Sequence, residues 1–98
     1  MSLTSSQRRY LRGLAHDLKP VILAGAKGVS DALIAELDLA LEHHELVKVR
    51  VGAEDRTEFA AQAKALAAAT KSETVQTIGR TAVYFRRNAE QPKLALPR

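Results

Sequence analysis

The chain has no cysteine and no tryptophan. Without thiols it can form neither disulfides nor thiolate metal sites, so its own core must hold it together. That absence is compatible with a cytoplasmic location. Aromatics amount to two Phe and two Tyr, too few for the aromatic motif on which an RRM stacks bases. No apolar run approaches the ~18 residues that a membrane-crossing helix needs, and Met1-Ser2-Leu3-Thr4 lacks a hydrophobic signal segment. No nucleophile–base pair, phosphate-binding P-loop, G-x-G-x-x-G or pair of carboxylates in an evident cleft is present, so neither an enzyme nor a cofactor is expected. His43-His44-Glu45 invites a metal reading. Adjacent histidines on a helix diverge, however, and no third ligand is evident, so no metal site is expected.

What is present is a chain of 98 residues with a net charge of +4, long enough for one self-supporting domain. The charge is unevenly spread. Residues 1–28 carry Arg8, Arg9, Arg12, Lys19 and Lys27 against Asp17 alone. Residues 29–78 carry five bases against nine acids, and residues 79–98 turn basic again with Arg80, Arg86, Arg87, Lys93 and Arg98. If the two ends meet in space, they form a basic patch backed by an acidic face, which suits a polyanion approached from one side.

The stretch Lys19 to Asp31 organises the rest. Val21 to Ala24 is a short apolar run after Pro20, as at the start of a strand. Gly25 and Gly28 bracket Ala26 and Lys27, and Ser30 can cap a following helix. Flexible backbone, free N–H groups, a cation and a helix N-terminus thus fall together, and a phosphate backbone can use all four.

Hydrophobic periodicity and caps place the other elements. Thr4 to Asp17 reads as a helix opened by a Thr4/Gln7 capping box, with Leu11, Leu14 and Leu18 on one stripe. Arg8, Arg12, His16 and Lys19 fall on a neighbouring stripe, with Arg9 just off it. Ser30 to His44 is a second helix, apolar at Leu33, Ile34, Leu37, Leu41 and His44, with Asp31, Glu36, Asp38, Glu42 and Glu45 expected on its outside. Leu46 to Val51 alternates as a strand, its valines facing the core and Lys48 and Arg50 facing a solvated side. Asp55 to Ala69 is a third helix, buried along Phe59, Ala63, Leu66 and Ala67. Glu73 to Ile78 and Thr81 to Arg86 form a hairpin around Gly79-Arg80, with glycine where a type II′ turn wants it. Val83 and Phe85 are expected in the core and Tyr84 half-buried. Residues 88–98 form an extended basic tail whose Leu94 and Leu96 can dock on a sheet edge.

The order α-β-α-β-α-β-β predicts a single α/β domain over residues 1–98. Its sheet is mixed and four-stranded, with right-handed crossovers between the first three strands and the helices packed on one face.

Several segments together resemble a known family: residues 7–16, Leu18-Lys19-Pro20-Val21, the loop from Gly25 to Gly28, residues 40–49, Ile78-Gly79-Arg80-Thr81 and Leu96-Pro97-Arg98. From Leu3 to Arg98 the chain looks like the bacterial YhbY-like proteins, stand-alone CRM domains. The resemblance implies an RNA-binding module and not an enzyme. Its fold would be similar to the C-terminal domain of translation initiation factor three, and its partner ribosomal RNA in precursors of the large subunit, as a ribosome assembly factor. It also implies no small-molecule substrate and no membrane partner. The family's G-x-x-G loop maps onto Gly25, Ala26, Lys27 and Gly28. Many members carry lysine directly after the first glycine, where this chain has Ala26. The expected mechanism is a clamp by the loop backbone and Lys27 on a sugar-phosphate segment, as in KH domains. Arg8, Arg9, Arg12 and Lys19 would flank it, with Lys48, Arg50, Arg80 and Arg86 as a second tier. Few aromatics favour readout of RNA shape over sequence. The alternative is a protein–protein adaptor that uses the acidic face of the second helix.

Overall fold

The computed structural model describes residues 3–24 and 29–97. Its elements are α1 (Ser5–His16), β1 (Ile22–Ala24), α2 (Asp31–His44), β2 (Leu46–Val51), α3 (Arg56–Thr70), β3 (Glu73–Ile78) and β4 (Thr81–Phe85). Each helix starts on a side-chain cap that satisfies an otherwise orphaned amide. Thr4 and Gln7 form the full reciprocal capping box on α1, Ser30 accepts from the Leu33 amide, and Asp55 accepts from the Glu58 amide. Gly79 turns the hairpin with φ of 58°. Positive φ falls on the first central residue and not on Arg80, as a type II′ turn requires.

The sheet is four-stranded in the order β1-β2-β4-β3. β1 runs parallel to β2, while β4 lies antiparallel between β2 and β3. The helical crossover from β2 to β3 therefore skips one position, and the last strand fills the gap. β1 is shorter than its apolar run. Val21 still donates its amide to the Lys48 carbonyl at 3.1 Å, but regular pairing starts only at Ile22↔Val49.

The helices do not share one face of the sheet. α2 and α3 cover the side carrying Ile22, Val47, Val49, Val51, Ala82 and Tyr84, where Leu37, Leu41 and Leu66 are fully buried. α1 covers the other side, with Leu11 and Ala15 against Leu46, Val75, Val83 and Phe85. Both faces of β4 are thus core. Tyr84 is completely buried rather than half-exposed, and its hydroxyl donates to the Ala63 carbonyl at 2.9 Å. Burial pushes its pKa well up. The one-faced expectation rested on the polar Lys48/Arg50 alternation. α1 roofs part of that face because Leu46, Val75, Val83 and Phe85 make it apolar there, and Lys48 reaches the helix end as described below.

The tail packs on the α1 side rather than pairing along a sheet edge. Leu94 and Leu96 join the α1 cluster, and the Gln7 amide donates to the Pro97 carbonyl at 3.0 Å. The two basic ends of the chain do meet.

Candidate nucleic-acid interface

α1 lies over only part of its side of the sheet. It covers Leu46, Phe85 and Val75 and ends near Lys48. Beyond it, strand register defines a row across all four strands: Leu23, Arg50, Thr81 and Ile78. Directly opposed residues point to the same face, so this row faces the α1 side with no helix above it. Leu23 is 73% exposed and Ile78 63% exposed, and Arg50 is exposed between them. One row inward lie Lys48, Val83 and Gln76. Cations flanked by exposed aliphatic side chains make a surface suited to a polyanion that also carries flat apolar groups.

The four loop positions Gly25, Ala26, Lys27 and Gly28 lie outside the described residues. The strand that leads to them ends at Ala24 opposite Val51, one register step beyond Arg50.

The basic residues divide sharply. Arg9, Arg12, Lys19 and Arg50 are exposed and form no salt bridge among the described residues. Arg8 differs: it is half-buried, its guanidinium donates to the Thr74 carbonyl, and it lies 4.0 Å from the Glu73 carboxylate. It ties α1 to β3 rather than flanking a ligand. Lys48 donates to the Ala15 carbonyl at 3.2 Å and the Leu18 carbonyl at 3.1 Å. It is thereby a cationic cap on the C-terminus of α1, where carbonyls and dipole both favour positive charge. Arg80 is also held, donating to the carbonyls of Ala53 at 3.2 Å and Glu54 at 3.4 Å.

Arg86 belongs to the opposite face. It bonds Asp38 and the Thr70 carbonyl and lies 3.5 Å from Glu42, so it locks β4 onto α2 and α3 and does not join the exposed cations. The same pairing uses two of the acidic residues on α2. Most other acids, Asp31, Glu36, Glu54, Asp55 and Glu58, sit on α2 and around the start of α3, away from α1, while Asp17 is exposed at the end of α1 on the basic side. Charge polarity along the chain has become polarity between the two sides of one sheet.

One functional group was hidden from sequence patterning. Glu45 is fully buried, and its carboxylate accepts from the amides of Asn88 and Lys93 at 2.6 Å and Leu94 at 2.7 Å. Burial alone would raise its pKa. The three amides and the nearby Arg87 charge outweigh that and hold the carboxyl below its ordinary value. Glu45 therefore anchors the tail. The adjacent His43 and His44 are exposed, and no group of three potential metal ligands occurs among the described residues.

The sheet, its covered and uncovered halves and its segregated charge define a small α/β binding domain with one cationic side. The chain belongs to the CRS1 / YhbY (CRM) domain family, whose model matches residues 3–86. It is 41% identical over 97 residues to an RNA-binding protein of Haemophilus influenzae, covering 99% of this chain and 97% of that one. It is 40% identical over 98 residues to a Bacillus subtilis relative named "Probable RNA-binding protein YqeI", covering 97% of this chain and 99% of the relative. Its fold matches the solution structure of a Staphylococcus aureus protein with a TM-score of 0.85 and 38% identity, over 98% of this chain and all of the other.

Proposed function

We propose that this protein binds RNA, engaging ribosomal RNA in precursors of the large subunit as an assembly factor in the cytoplasm. It would act by holding RNA and not by catalysis. The observation that carries the reading is the gathering of Arg9, Arg12, Lys19 and Arg50, all exposed and unpaired among the described residues, on the one side of the sheet that the α2 carboxylates do not reach. Such a surface draws a polyanion and orients it, because the acidic side repels what the basic side attracts. The names of the curated relatives point to RNA as that polyanion.

In this mechanism α1 and β2 supply phosphate contacts that set position and register. The loop 25–28, which follows β1 in the chain, would add its backbone and Lys27. Arg8, Arg80 and Arg86 act indirectly, by keeping the elements in place, and Lys48 does so with two of its three N–H groups. The adaptor reading through α2 has less support, because Arg86 already occupies Asp38 and Glu42.

Ultraviolet crosslinking in cells, followed by sequencing of the bound RNA, tests the proposal. Large-subunit precursor rRNA is expected to dominate the reads. Reads at the level of an untagged control, or scattered over messenger RNA, would overturn it. A folded Gly28→Asp variant that retained full RNA affinity would remove the loop from the mechanism.

A further inference from the structure

The second half of α1 and the uncovered rows of the sheet enclose a concave site of about 210 Å3. Arg12 and His16 reach it from α1, Lys48 from β2, Gln76 from β3, and Thr81 and Val83 from β4. No carboxylate lines it among the described residues. Its floor is apolar, since Ala15 and Val83 are buried beneath it. The Lys48 ammonium has three N–H groups and places two on Ala15 and Leu18, which leaves one for a ligand. Among the described residues, the side chains of Gln76, Thr81 and His16 have no hydrogen-bond partner.

A flat apolar floor, a guanidinium and an imidazole at the wall, and an amide and a hydroxyl at the edge match the parts of a nucleobase. Bases stack on arginine and histidine planes and are read along their polar edges. A bare phosphate would leave the floor and the amide unused. The cationic groups, Arg12 and the third Lys48 proton, can only donate, whereas the Gln76 amide and the Thr81 hydroxyl can donate or accept. The two cations suit a base presenting carbonyl oxygens, and Gln76 can turn its own oxygen to the ring N–H beside such a carbonyl in uracil or guanine, while adenine would turn its amino group toward the cations.

We infer that this groove is a nucleobase subsite that takes one unstacked uracil or guanine. The inference rests on the RNA-binding reading above and deepens it. Exposed cations hold the strand by its phosphates, and one base turns into the groove beside α1. The protein then has a sequence preference at one position that phosphate contacts cannot give.

The test measures fluorescence anisotropy of labelled decauridylate and decaadenylate, which carry equal charge, at one fixed salt concentration. The wild type is expected to bind decauridylate about tenfold more tightly, the scale of one good side-chain contact to a base. Single-strand stacking in decaadenylate also disfavours it, so the variants decide. Gln76→Ala should bring the two affinities within about twofold, whereas Arg9→Ala should weaken both equally and leave the ratio intact. In the wild type, the NMR signals of the Gln76 side-chain amide should shift on adding decauridylate, a readout that needs no variant to fold. Equal affinities, a preference for decaadenylate, or an unchanged ratio in folded Gln76→Ala would overturn the inference, as would an unshifted amide signal. If neither decamer binds but a precursor rRNA fragment does, the subsite falls and the RNA-binding reading stands. If none of these RNAs binds, both fall.

Discussion

Glu45 follows the last residue of α2 with φ of 62°, a conformation that costs a non-glycine residue about 1 kcal/mol or more. Three amides of the tail converge on its carboxylate, and each bond to a charged acceptor contributes on the order of 1.5–3 kcal/mol. Glycine would relax the backbone here but leave the tail amides without an acceptor. Glu45→Gln offers one oxygen and turns an NH2 toward other donors, so it should destabilise the fold by about 2–3 kcal/mol at neutral pH. It should also speed proteolysis of residues 88–97. Because the folded pKa of Glu45 is depressed, its contribution is present above the ordinary glutamate value of about 4.3 and lost as pH falls through the folded value. Urea unfolding across that window should show this acid-side loss in the wild type and a smaller one in Glu45→Gln. Gly13 gives the opposite kind of residue-level expectation. It lies inside α1, and a Cβ built there meets nothing within 4 Å. Gly13→Ala should therefore stabilise the protein by about 0.5–1 kcal/mol, read as a higher urea midpoint with unchanged slope.

At the scale of an element, α1 depends on a side chain from the sheet beneath it. Lys48→Met keeps the aliphatic stem but removes both hydrogen bonds to the helix end. It should cost about 1–2 kcal/mol and raise amide exchange in the last turn of α1, where Arg50→Ala should lower RNA affinity with little change in stability. Helix starts were legible in the sequence because caps are local: Thr4 with Gln7, Ser30 and Asp55 all act within one turn. The hairpin was legible because Gly79 alone supplies the required φ. Which face of the sheet is covered was not legible. The alternation of Lys48 and Arg50 with valines looks the same whether a lysine meets water or a helix terminus thirty residues away. Arg86 escaped the pattern for the same reason, since its partners on α2 lie more than forty positions earlier. The candidate site was therefore readable as a list of cations but not as a division between those that bind the fold and those left to bind a partner.

At the scale of the whole molecule, that division sets the salt dependence. If Arg9, Arg12, Lys19 and Arg50 each meet one phosphate of single-stranded RNA, log K should fall against log salt with a slope near −3, an affinity loss of about fiftyfold between 50 and 200 mM. Arg9→Ala or Arg50→Ala should each make the slope shallower by about 0.7. Arg86→Ala should leave the slope unchanged while lowering the thermal midpoint, because its charge is spent inside the fold.

The strand order β1-β2-β4-β3 has a consequence for synthesis. A ribosome delivers β3 before the strand that must sit between it and β2, so the nascent sheet has an unfilled slot until Thr81 to Phe85 leave the exit tunnel. Until then β2 and β3 each present an open edge, the kind of surface on which incomplete chains aggregate. Closing both edges waits for this one strand, and a chain stalled before residue 81 would be a substrate for quality control rather than a partly working protein.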